Sequence, residues 1–141
     1  MIQRIQSVYL LLASLAFGSE YLFRDIWTGP AATTSSWFLP VTMALFAVAA
    51  AGSFVVIFMY ANRERQRRFI VILQVFAVLT IIILLYGLWS AGDLPGISGQ
   101  AVGVTDVLGL VMPFVAYVLL YMARRNVEKD IELVASMDRL R

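Results

Sequence analysis

The chain has 141 residues, 61% of them hydrophobic, a mean hydropathy of +0.83 and a net charge of +2. Soluble domains are about 45–50% apolar, so the excess excludes an ordinary soluble domain. The absence of Cys and His excludes disulfides, thiol chemistry and the commonest ligands of zinc, copper, iron and haem.

A helix needs about 20 apolar residues to cross a hydrocarbon core of about 30 Å. The first such segment covers residues 3–23 and must take Arg4 or Glu20 to an interface, because the charge-free stretch from Ile5 to Ser19 is too short alone. A secretory signal peptide is the competing reading, with Arg4 as its basic region and Ala16-Phe17-Gly18 as a cleavage site. A retained span is the expected state. Glu20 is an acid inside the first predicted span, and Arg24 stands at i+4 to pair with it near the interface. Such an intramembrane acid is also a candidate proton or cation site.

Residues 24–36 read as an irregular loop, with a turn at Gly29-Pro30 and Trp27 and Trp37 as belt residues. The second span covers residues 37–61, with Pro40 in its first turn. Its small residues Ala47 and Ala51, and Ala49 and Ser53, form pairs at i,i+4 that permit close helix approach. All four are predicted packing positions, and Ala51 is expected not to tolerate Leu.

Residues 62–68 read as a short basic loop that makes the second and third spans antiparallel neighbours. Arg63, Arg65, Arg67 and Arg68 are its candidate contacts with anionic lipid. The third span covers residues 69–90. Its run Ile81-Ile82-Ile83-Leu84-Leu85 is expected to face lipid, while Gln74 and Thr80, with Ser14 of the first span, are polar groups at membrane depth. Interhelical hydrogen bonds account for them.

A second loop with a turn at Pro95-Gly96 leads to the fourth span, residues 102–123. Thr105 or Asp106 is placed to cap it, and Pro113 to kink it. Residues 124–141 form a charged tail, expected to be helical. Its apolar residues Val127, Ile131, Val134, Met137 and Leu140 recur at steps of three or four, but Asp130 falls within their arc. The tail is expected to fold back under the bundle, with one of its acids meeting Arg4.

Every Lys and Arg except Arg24 falls on one side of the resulting topology, which is the positive-inside pattern of a protein with both termini in the cytoplasm. The predicted fold is therefore an all-α, integral membrane four-helix bundle, N-in and C-in: a four-span domain over residues 1–123 and a tail over 124–141.

The two ends resemble a known family. The opening Met1-Ile2-Gln3-Arg4-Ile5-Gln6, the run from Tyr9 to Leu12, and the close with Glu132-Leu133-Val134, Ser136 and Asp138-Arg139-Leu140-Arg141 are similar to small four-span membrane proteins of Bacteroidota-type bacteria, a family of unknown function. The resemblance implies a bacterial inner-membrane location and four helices, and no catalytic residue or substrate.

From the residues themselves, no nucleophile–base pair, metal set, phosphate loop or file of intramembrane charges emerges. No catalytic, cofactor-binding or metal site is expected, and no nucleic-acid partner. The leading expectation is a non-enzymatic accessory or scaffold subunit that packs against other membrane helices or itself, in contact with membrane lipids. The alternative is a small oligomeric transporter or channel in which Glu20, Gln74, Ser14 or Thr80 converge on one cavity.

Overall fold

The computed structural model describes residues 2–95 and 103–139, with the side chains of all of these but 2–4, 24, 25, 138 and 139. Among them the secondary structure is entirely helical: α1 Ile2–Gly18, a 3-10 turn Ser19–Leu22, α2 Arg24–Thr28, α3 Pro30–Thr34, α4 Phe38–Ile57, α5 Arg63–Ser90 and α6 Val104–Arg139. Segments of α1 with its 3-10 turn, α4, α5 and α6 are each long and apolar enough to cross a membrane. The chain is thus a multi-pass membrane protein.

The four long helices form a ring. Helix α1 packs against α4 and α6, and α5 packs against the same two from the other side. The basic ends of α5 and α6 lie together with the start of α1. The opposite end is closed by the 3-10 turn, α2 and α3, so the segment read as an irregular loop contains two short helices. Pro30 begins α3, where its missing N–H is harmless.

The start of α5 differs from the sequence reading for a local reason. The Asn62 side chain accepts a hydrogen bond from the Arg65 N–H at 3.0 Å and caps the helix. Arg63, Arg65, Arg67 and Arg68 therefore lie on the first turns of α5, not in a loop. At the head of α6, the Asp106 carboxylate accepts from the Gly103 N–H at 2.9 Å, the reach-back of a capping box.

Helix α6 runs without interruption through Pro113 to Arg139. At 1.5 Å per residue it is about 54 Å long, well beyond the hydrocarbon core. The tail thus continues the fourth span as one helix, which corrects the expected fold-back. Val127 is buried, whereas Leu133, Val134 and Met137 are exposed. The expected contact between a tail acid and Arg4 involves a side chain outside the described residues.

Aromatic and small residues make the core. Phe38 is fully buried and lies directly on Gly87, where a Cβ would strike its ring. Gly109 takes Ile26 of α2 in the same way. Gly52 meets Leu73, whose Cδ2 would be 2.7 Å from an added Cβ. On α4, Ala49 and Ser53 are buried, but Ala47 and Ala51 are exposed. Only one of the two small-residue pairs lies at a helix contact within the chain, because the other is turned about half a revolution away. The run from Ile81 to Leu85 is likewise split: Ile81 and Leu84 are buried in the bundle, and Ile82 is exposed.

Candidate functional site

At the end away from the arginines, Glu20 lies in the 3-10 turn that terminates α1. It is fully buried, and neither oxygen of its carboxylate has a hydrogen-bond partner among the described residues. Its backbone carbonyl accepts from Trp27 Nε1 at 2.6 Å. Trp27 is itself buried, stacked on Phe38 with centroids 6.0 Å apart and edge-on to Phe46 at 5.9 Å. Phe46 also meets Phe17 at 6.3 Å. Helices α2 and α3 thus act as an aromatic cap over the bundle. Trp27 is a core residue of this cap and not a belt residue; Trp37, stacked on Tyr86 at 6.3 Å, does stand on the outside. The side chain of Arg24, the expected partner of Glu20, lies outside the described residues.

At membrane depth the polar side chains are separately engaged. Ser14 donates to the Ala50 carbonyl at 2.9 Å, which links α1 to α4. Thr80 donates to Phe76 O at 2.9 Å and Ser53 to Ala49 O at 2.7 Å, each bonding back one turn along its own helix. Thr42 bonds to Phe38 O in the same way. Gln74 is buried and accepts from Arg124 Nη1 at 3.4 Å. Among the described residues, no hydrogen bond joins Ser14, Glu20, Gln74 and Thr80 to one another.

The basic end carries the densest polar network. Asp130 is buried on α6, where its Oδ2 accepts from Gln6 Nε2 of α1 at 2.9 Å and lies 3.6 Å from Arg63 Nη1 of α5. Arg63 also reaches the Asp130 carbonyl at 3.4 Å. One carboxylate therefore holds three helices. Nearby, Glu128 pairs with Arg124 at 2.8 Å on its own helix and with Arg67 of α5 at 3.6 Å. Gln66 donates to Val56 O at 3.2 Å and ties the start of α5 to the end of α4. Of the four arginines grouped by sequence, Arg63 and Arg67 pair with acids of α6; Arg67, like Arg65 and Arg68, is exposed.

Gln6, Arg124, Glu128 and Asp130 were not among the site residues expected from sequence. The signal for Asp130 was its position inside the apolar arc of the tail. A charge there is what a helix requires if that face meets polar groups instead of lipid.

The chain belongs to a family described as a domain of unknown function (DUF4293), which matches residues 2–140. The match takes in all four long helices. No curated protein and no solved structure matches the chain.

Proposed function

We propose that this member of a family of unknown function is a non-catalytic accessory or scaffold subunit of a bacterial inner membrane, with both termini in the cytoplasm. The confinement of Lys and Arg, Arg24 excepted, to one end supports that orientation. The observation that carries the subunit reading is the use made of polar groups at depth. Ser14, Thr42, Ser53 and Thr80 hydrogen-bond to helix carbonyls, and Gln74 receives Arg124. The bonds of Ser14 and Gln74 tie one helix to another, those of Thr42, Ser53 and Thr80 close on their own helix, and together they do not line up as a path for a substrate. The outward faces carry large apolar side chains, among them Val48, Phe54 and Val55 on α4, which suit lipid and neighbouring helices alike.

A second reading, a small oligomeric transporter or channel, is favoured by one observation: the buried carboxylate of Glu20, which has no hydrogen-bond partner among the described residues. Native purification in mild detergent followed by mass spectrometry separates the two. A different protein present at fixed stoichiometry supports the subunit reading. A homo-oligomer that gathers Glu20 from several copies around a polar cavity supports transport and overturns the subunit reading. A monomer without any partner overturns both.

A further inference from the structure

Between α5 and α6 runs an open groove of about 290 Å³. Its walls are Val71, Val75, Val78 and Leu79 of α5 and Tyr117 of α6, with Gln74 and Arg124 as its polar lining. Val75, Val78 and Leu79 are exposed, so the trough is open to whatever surrounds the bundle. The volume is at the small end of ligand pockets, which suits one slender apolar chain.

Arg124, which lines the groove, and its neighbours Arg67 and Glu128, which lie beyond that lining, carry an unbalanced charge. The guanidinium of Arg124 and that of Arg67 share a single carboxylate, Glu128, at 2.8 and 3.6 Å. Two positive charges against one negative leave a net positive charge, and both guanidiniums remain partly exposed. Arg124 is further aimed by Gln74, whose oxygen accepts from its Nη1. Arginine forks match phosphate oxygens in geometry and charge. Arg63 is differently placed, because it is engaged by both the carboxylate and the carbonyl of Asp130.

We propose that this groove is a binding site for one anionic phospholipid. Its phosphate sits on Arg124 and Arg67, and one acyl chain lies along Val71, Val75, Val78 and Leu79 toward the middle of the membrane. Glu128 holds the two guanidiniums in register when the site is empty and competes with the phosphate when it is filled. The site rests on the membrane-spanning helices alone and is independent of the subunit reading.

The test is native mass spectrometry of the full chain in detergent, titrated with phosphatidylglycerol, with phosphatidylcholine of the same acyl chains, and with glycerol phosphate alone. Phosphatidylglycerol is expected to bind in preference to phosphatidylcholine. Arg124→Gln or Arg67→Gln should weaken it roughly fivefold, the effect of about 1 kcal/mol per basic residue near anionic lipid. Arg65→Gln removes the same charge from an exposed position off the groove and should change binding less than about twofold. Glu128→Gln should strengthen binding. Val75→Trp fills the trough while keeping every charge, and should also weaken binding, so the proposal remains open to refutation if Arg124→Gln fails to fold. Equal losses from Arg65→Gln and Arg124→Gln would overturn the site in favour of diffuse attraction. Unchanged binding in Val75→Trp would overturn the acyl trough. Displacement of the lipid by an equal concentration of glycerol phosphate would mean a free phosphate site. A Val75→Trp variant that loses a dimer and no lipid would mean that a second copy occupies the groove.

Discussion

A carboxylate enclosed without a partner is among the more costly groups a helical bundle can hold, because burial removes water and nothing described here replaces it. Among the described residues Glu20 is in that position, beneath the Trp27 cap. Replacing it with Leu is expected to raise the stability of the isolated chain by about 1–3 kcal/mol, read as thermal unfolding in detergent. A loss of stability would show that the carboxylate has a favourable partner within the chain. The small residues of α4 offer a second contrast. Ala49 is fully buried, so Ala49→Leu should cost about 1–3 kcal/mol through overpacking. Ala51 is exposed, so Ala51→Leu should leave the isolated chain within about 0.5 kcal/mol of the parent. Equal losses at both positions would place Ala51 in a contact between chains.

At the level of the element, α6 combines a span and a tail in one helix, and Asp130 decides how the tail is held. Its carboxylate meets Gln6 and Arg63, so the first turns beyond the span are anchored to α1 and α5. Beyond Ile131 the side chains of Leu133, Val134 and Met137 turn outward. Asp130→Ala removes an acceptor from one amide and one guanidinium, and should cost about 1.5–3 kcal/mol, the range for hydrogen bonds to charged groups. Hydrogen exchange gives the sharper readout. Amides up to about residue 131 should be protected in the parent chain and those of the last two turns less so, with the boundary moving back toward Arg124 in the variant. Uniform protection through residue 139 in the variant would mean that something other than Asp130 holds the tail.

For the whole molecule, the ring of α1, α4, α5 and α6 sets one end against the other: arginines and the Asp130 network on one side, the aromatic cap with Glu20 on the other. Reporter fusions after Arg68 and Arg141 are expected to read cytoplasmic, and a fusion after Gly96 external, because basic residues near span ends set orientation. An external reading after Arg141 would overturn the orientation. Loss of the residues before Ser19 from the mature chain would show that the first segment is cleaved as a signal.

What the sequence by itself determined were the properties of contiguous residues. Hydropathy over about 20 positions marked four membrane-crossing segments, and the charge beside each marked the basic end, because crossing lipid is a demand on the local chain. Helix faces are different, since a face is defined by its neighbours. Ala49 and Ala51 are alike in sequence, yet one meets another helix and the other does not. Trp27 had the composition of a belt residue, and only the folding of α2 onto Phe38 and Phe46 of α4 buries it. The four arginines at 63, 65, 67 and 68 looked equivalent until α6 supplied Asp130 to one and Glu128 to another. Tertiary structure decided these matters because each depends on which groups, distant in sequence, arrive at the same depth. The partners of Asp130 at positions 6 and 63 are joined to it only by the packing of α6 antiparallel to both α1 and α5.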